Sequence, residues 1–119
     1  MLLHCENKQV LYKDGYVLFK YPNNIYALTL SPEDPILNNT ITNIQIERSL
    51  SISGKKKSGS IRVAPDTKLI TITTPDGEHI IRCHLTGVLI QVNERLVQEP
   101  ELLYNPLSTF IAVFYNVSS

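Results

Sequence analysis

The sequence predicts an all-β fold, a sandwich or small barrel built from short strands. Apolar residues alternate with polar ones over much of the chain instead of recurring every three or four positions, which is the pattern of strands with one buried face. Clusters of Pro, Gly, Asn, Asp and Ser separate these runs, and such residues are typical of turns. Many short strands at this spacing indicate a sandwich or small barrel.

The alternation predicts strands in chain order, each bounded by turn chemistry. The first turn between two of them is Pro22-Asn23-Asn24, and a longer one is Ser31-Pro32-Glu33-Asp34-Pro35. Such residues set the backbone angles of tight turns or bond their own backbone. The predicted strands cover residues 16–19, 25–30, 41–46, 69–73, 80–82, 88–92 and 110–115.

One hairpin is indicated more directly than the others, between residues 69 and 82. Two β-rich runs flank Asp76-Gly77, and an Asp-Gly pair favours the positive φ angles of a tight hairpin turn. We therefore expect Asp76 at an exposed hairpin tip.

A single short helix is predicted near the C-terminus, over residues 100–104. Its first residue is a proline, which suits the first helical position, and Glu101 complements the positive end of a helix. Pro106 opposes continuation. We expect Leu102 and Leu103 to cover an open end of the sandwich.

Length and charge bound the organisation and the partners. At 119 residues we expect one domain over residues 1–119, with flexible ends at 1–11 and 116–119. Acidic and basic residues number 11 each, so no overall field recruits nucleic acid or an anionic membrane. No apolar run reaches the length of a membrane-spanning helix, and the first residues are too polar for a signal peptide. We expect an intracellular protein.

Thiols and histidines do not form a recognisable site in the sequence. Cys5 and Cys83 are expected to be free thiols, because disulfides are rare in that compartment. Cys83 and His84 are adjacent in the sequence, and adjacent residues of an extended chain point to opposite faces, so zinc binding with His79 is not expected. Nucleophile elbows, phosphate loops and paired carboxylates in a defined setting are not found. We therefore expect no enzyme activity, no cofactor and no small-molecule substrate.

The second half of the chain resembles a lipoyl-carrier domain. Glycine cleavage H-proteins share its Gly-hydrophobic-Val-Asn-Glu strand, which here ends in Val92-Asn93-Glu94, then a Pro-Glu-Leu helical turn and a closing apolar strand at residues 110–114. In that family a lipoylated lysine precedes the glycine by about eleven residues. Counting back from Gly87 leads to Asp76. The resemblance therefore implies a carrier-like domain without its lipoyl lysine.

Most of the chain, from about residue 12 to 114, also resembles the Abitram family, called Simiate as well. This resemblance implies a barrel-sandwich hybrid, or single hybrid motif, with one short C-terminal helix. For studied relatives it implies actin binding and a role in transcription, in nucleus and cytoplasm. The relatives carry a further polar tail beyond the position of Ser119. Matching residues include Asn24-Ile25, Leu28-Thr29-Leu30, Pro35-Ile36-Leu37, Ser53-Gly54-Lys55, Lys57, Gly59, Asp76-Gly77-Glu78, Gly87, Leu89, Val92-Asn93-Glu94, Pro100, Pro106, Ser108-Thr109 and Ile111-Ala112-Val113.

Lysines supply two further candidates. Lys55, Lys56 and Lys57 form the one concentrated charge in the sequence. They are suited to contact an acidic partner surface such as that of actin. Alternatively, the charges only keep the loop solvated. Lys68 is the rival position for lipoate, but its neighbours place it at the start of a strand and not at a tip. The leading hypothesis is a non-enzymatic interaction domain that uses the lysine loop and Asp76. The alternative is a lipoyl carrier or accessory protein of glycine cleavage.

Overall fold

A computed structural model describes residues 8–50 and 61–116, which form two antiparallel sheets. The larger sheet has six strands in the order β1-β2-β3-β9-β8-β5, and the smaller has three in the order β4-β6-β7. The described strands are β1 (Gln9–Tyr12), β2 (Tyr16–Tyr21), β3 (Ile25–Leu30), β4 (Asn43–Ile46), β5 (Ile61–Val63), β6 (Lys68–Thr74), β7 (Gly77–Arg82), β8 (Gly87–Val92) and β9 (Ala112–Tyr115).

The hydrophobic core lies between the two sheets. Leu28 of the larger sheet and Ile44 and Ile72 of the smaller one belong to the same cluster, and all three side chains are fully buried. Alternation along the strands produces this burial, because every second side chain points to the same face. The remaining fully or almost fully buried large side chains are Phe114, Leu30, Leu69, Ile70, Leu89, Leu96, Leu103, Ile111 and Val17.

Two β-bulges interrupt the regular pairing. In β6, Lys68 pairs with Arg82 and Ile70 with Ile81, so Leu69 is an extra residue. A second shift lies between Leu89 and Gln91 in β8. Because a bulge reverses the alternation locally, Leu69 and Ile70 are buried in succession, whereas Ile90 at the second bulge is 46% exposed.

Short helical segments follow β8. The α-helix α1 (Arg95–Gln98) is followed by 3-10 helices at Pro100–Tyr104 and Pro106–Ser108, and three further 3-10 turns lie at Pro22–Asn24, Pro35–Asn38 and Arg48–Leu50. Leu96 and Leu103 bury their side chains completely in the core. The segment 95–108 therefore covers one end of the core.

Two hydroxyl groups attach this segment to the rest of the fold. Thr29, fully buried in β3, shares its one hydroxyl proton between the carbonyl oxygens of Pro106, 2.6 Å from Oγ1, and Thr109, 2.8 Å from it. The Tyr104 hydroxyl donates to the carbonyl oxygen of Asn39 and accepts the N–H of Ile41, both at 2.8 Å. Each of these bonds joins groups at least 63 residues apart in the sequence.

The predicted all-β class with a short helix near the C-terminus is confirmed, and among the described residues neither sheet closes into a barrel. The helical prediction was incomplete. The predicted turn at Pro100–Tyr104 is a 3-10 helix, and the α-helix is α1, just before it. Pro106 does not simply end the helical segment, because it begins another 3-10 turn.

The strand predictions differ from the structure mainly at short elements. β1 and β5 were not predicted, and β1 includes residues 9–11 of the segment expected to be flexible. The strand predicted at 41–46 begins at Asn43, because the N–H of Ile41 is bound to a side chain instead of a neighbouring strand. In the described ranges no helix has the length and apolar character needed to cross a bilayer.

Candidate functional site

The hairpin between β6 and β7 carries the position that the carrier resemblance assigns to lipoate. Thr74 and Gly77 form its last residue pair, and Pro75 and Asp76 make the turn. Thr74 Oγ1 accepts the N–H of Asp76 at 3.2 Å and donates to the carbonyl oxygen of Gly77 at 3.4 Å. Asp76 is exposed at the tip.

The turn differs in one detail from the expectation for an Asp-Gly pair. Gly77 has the positive φ, +135°, while Asp76 is not among the positive-φ residues of the described chain. The physical reason is Pro75, whose ring restricts its own φ to about −65° and suits the second position of a turn. Gly77 therefore closes the turn as the first residue of β7. A role of Asp76 in partner binding stays a prediction.

Lys68 lies at the other end of the same hairpin. It is exposed, begins β6 and pairs with Arg82 beside the bulge. Thr74 lies six positions farther along β6, which is about 20 Å along an extended strand. The structure thus separates the two candidate attachment positions. The third candidate group, Lys55, Lys56 and Lys57, lies outside the described residues.

A shallow groove of about 620 Å³ lies where β8 leads into α1, and sequence reasoning did not identify it. Its walls mix the exposed Ile90, at the bulge, with the charged side chains of Glu94 and Arg95. Leu102 and Phe110 complete the apolar part. The groove therefore offers apolar contact next to charges of both signs.

Asn93, in the motif that the H-proteins share, holds this groove together. Its Nδ2 donates to the carbonyl oxygen of Phe110 at 2.9 Å, and its Oδ1 accepts the N–H of Arg95 at 3.2 Å. Its own N–H donates to the carbonyl oxygen of Ile111 at 2.8 Å. Three bonds to backbone explain why an Asn stands at this point of the chain. Arg95 and Glu99 add an exposed ion pair at 3.2 Å across one helical turn, which contributes little to stability.

Cys83 and His84 follow β7 and point into different surroundings. Burial raises the pKa of the Cys83 thiol to about 11, so it carries almost no thiolate at neutral pH. His84 stacks on Tyr16 with ring centroids 3.8 Å apart. Burial, and then the charge of Arg82, lower the pKa of His84. Within the described ranges, no three His, Cys, Asp or Glu side chains are grouped to hold a metal ion.

Comparison with known proteins identifies relatives along most of the chain. No protein-family model matches the sequence. Protein Abitram of Gallus gallus is 34% identical over 112 residues, which are 84% of this chain and 65% of that protein. The Xenopus tropicalis protein of that name is 33% identical over 112 residues, 84% of this chain and 61% of its own length.

A relative from a third organism aligns over a similar length. Protein Abitram of Dictyostelium discoideum is 28% identical over 109 residues, which are 87% of this chain and 62% of that protein. The chain thus spans less than two thirds of the length of these relatives. Proteins of one name from three organisms align with 84–87% of this chain. The chain therefore belongs to the Abitram family, as its sequence predicts.

Proposed function

We propose that this chain is a non-enzymatic, lipoyl-like interaction domain that lacks the lipoyl lysine, binds actin and thereby modulates transcription. The observation that carries the proposal is the exposed hairpin tip at Asp76. Lipoate is attached through an amide to a lysine amine, and a carboxylate offers no such amine. The tip stands where carrier domains hold lipoate but cannot hold it. We therefore assign this tip to recognition of a protein partner.

The chemistry of the described side chains supports a non-enzymatic role. Cys83 is buried, and its raised pKa keeps the thiol protonated. Asn93, the polar residue at the end of β8, uses its side chain to bind backbone groups. Thr29 does the same. These groups stabilise the fold instead of facing a substrate.

The partner that we propose follows from the family resemblance and from charge. Three consecutive lysines, Lys55, Lys56 and Lys57, are matched to an acidic protein surface such as that of actin, and the tip at Asp76 provides a second contact. Attraction of this kind speeds association and weakens as salt rises. The proposed locations are the nucleus and the cytoplasm, without direct binding to nucleic acid or membrane.

Actin co-sedimentation across a salt series tests the proposal. Replacing Lys55, Lys56 and Lys57 together by Glu should weaken binding, and more strongly at low salt than at high salt. A matched control makes the same charge change at Lys8, Lys13 and Lys20 and should weaken binding less. Equal binding of both variants and the unmodified chain would remove the lysine loop as a contact, and no sedimentation of the unmodified chain would overturn the actin proposal.

The second candidate, a lipoyl carrier or accessory protein of glycine cleavage, depends on the exposed position of Lys68. Intact mass after expression with an active lipoyl ligase separates the two candidates, with Lys68→Arg as the control. A lipoate adduct that the control lacks would favour the carrier. A pull-down from the native cell gives an independent readout, because recovery of glycine-cleavage components in place of actin would also favour it.

A further inference from the structure

Among the described residues, β7 is an edge strand of the smaller sheet. This strand pairs with β6 on one side, and in the described part of the chain no strand pairs with its other side. Glu78 and Ile80 are exposed, Ile80 by 42%. Natural proteins block such edges with charged side chains, lysine above all, with proline or with a bulge in the edge strand. The sequence of β7, Gly-Glu-His-Ile-Ile-Arg, has neither lysine nor proline, and its two charges, Glu78 and Arg82, are of opposite sign. The one bulge of this hairpin lies in β6.

The face on which each β7 side chain lies follows from its pairing with β6. His79 is opposite Ile72 and Ile81 is opposite Ile70, and both partners are buried in the core. Residues opposite each other share a face. His79 and Ile81 therefore lie toward the core, and the intervening Glu78, Ile80 and Arg82 lie on the outer face.

We infer that β7 pairs with β7 of a second copy of this chain, antiparallel and centred on Ile80. In this register Ile80 lies opposite Ile80 of the partner. Glu78 lies opposite Arg82 of the other copy, and the reverse pair forms on the other side of the two-fold axis. Two opposite-charge pairs therefore flank one apolar pair on the outer face. Both kinds of cross-strand pair stabilise antiparallel strands.

The charge pattern selects this register over its neighbours. Moving the centre to His79 would place Glu78 opposite Ile80, and moving it to Ile81 would place Ile80 opposite Arg82. A shift that exchanges odd and even positions would put core-facing side chains on the outer face. Of these registers, the one centred on Ile80 is the one that pairs each Glu with an Arg.

The arrangement has the form of an isologous two-fold interface. It joins two three-stranded sheets into one sheet of order β4-β6-β7-β7-β6-β4 and removes the open edge from both copies. Arg82 already donates from one guanidinium nitrogen to the carbonyl oxygen of Asp66 at 2.8 Å. That contact holds the side chain in place and uses one of its five N–H donors.

Sedimentation equilibrium of the 119-residue chain from micromolar to millimolar concentration tests the inference. We expect the average mass to rise from 13.4 kDa toward twice that value. Ile80→Lys should raise the dimer dissociation constant at least about tenfold, because like charges then lie directly opposite each other. Val97→Lys is the matched control, since Val97 of α1 is 43% exposed outside both sheets, and it should leave dimerisation unchanged.

Charge exchange gives a second, more specific readout. Glu78→Arg and Arg82→Glu should each dimerise poorly alone, because each places like charges opposite each other. An equimolar mixture should dimerise again, because both of its cross-copy pairs are then of opposite charge. Should Arg82→Glu fail to fold, the comparison of Ile80→Lys with Val97→Lys decides.

A monomer at every concentration would overturn the inference, and so would a dimer that Ile80→Lys leaves intact. A mixture that stays monomeric while both variants melt like the unmodified chain would refute this register.

Discussion

Replacing Gly87 by Ala tests how closely β8 and β9 approach each other. A Cβ added at Gly87 would lie 2.4 Å from the carbonyl oxygen of Tyr115 and 3.2 Å from the Cα of Asn116. The first distance is 0.6 Å below the 3.0 Å that real Cβ atoms respect. Both neighbours are backbone atoms, so no flexible side chain moves away to accommodate the methyl group.

The expected cost follows from what must move. Val88 pairs with Tyr115 directly beside the clash, and separating the strands there weakens one or two ladder hydrogen bonds, at about 1 kcal/mol each. Strain from overpacking adds about 1–2 kcal/mol. We expect Gly87→Ala to lower the unfolding free energy by about 2–4 kcal/mol, which for a chain of this length shifts Tm by about 4 °C per kcal/mol.

Thermal and urea unfolding measure this loss, and Gly15→Ala is the matched control. Gly15 has nothing within 4 Å of an added Cβ but a φ of +92°, so its replacement carries only backbone strain, about 1–2 kcal/mol. The larger loss should come from Gly87→Ala although its φ is ordinary. A loss at Gly87 smaller than that at Gly15 would show that the two strands do not approach as closely as described.

Three further predictions follow from the hairpin, a buried hydroxyl and a histidine. Asp76→Lys should lower the unfolding free energy measured in urea by at most about 1 kcal/mol. Gly77→Val should lower it more, because the φ of Gly77 is +135°. Strong destabilisation by Asp76→Lys would show that Asp76 is not at the tip. When Asp76→Lys is expressed together with an active lipoyl ligase, its intact mass should show little lipoylation. Thr29→Val should lose about 1–3 kcal/mol, since it removes the one proton that the carbonyl oxygens of Pro106 and Thr109 share, although Pro106 keeps the N–H of Thr109 at 3.3 Å. Thr29→Ser should lose less, and equal losses would contradict the role of the hydroxyl. The pKa of His84 is lowered from 6.5 in the folded state, so the unfolded chain binds the proton better and the unfolding free energy should fall as pH drops below 6.5. His84→Asn, compatible with the φ of +66°, should flatten this dependence in urea unfolding measured on either side of that pH.

Local chemistry explains which elements could be predicted from the sequence. β3 was predicted with its observed bounds, because a short, mainly apolar run is bounded by turn residues on both sides. β1 and β5 have four and three residues, which is too short for a period of two to stand out. The signal for α1 was Asn93, a residue type that favours helix starts, but it was interpreted only as part of a family motif.

In the candidate site, too, only features set by neighbouring residues could be predicted. Asp76 could be placed at a tip because turn residues act on their immediate neighbours. The bonds of Thr29 and Tyr104 join groups 77 and 65 residues apart, so their partners depend on the packing of the two sheets. The groove beside Ile90 depends on a bulge between paired strands, and no residue of β8 alone indicates it.

The position of β9 sets the order in which this fold becomes complete. β9 pairs with β3 on one side and β8 on the other, so it joins the group β1-β2-β3 to the pair β8-β5. A ribosome makes this strand after all the others described, and until then the two parts of the larger sheet share no strand. Folding must await contacts between residues such as Tyr26 and Phe114, far apart in sequence, which slows folding. Until β9 has paired, the edges of β3 and β8 lack their common neighbour, and such unpaired edges are sites for chaperone binding or misassembly.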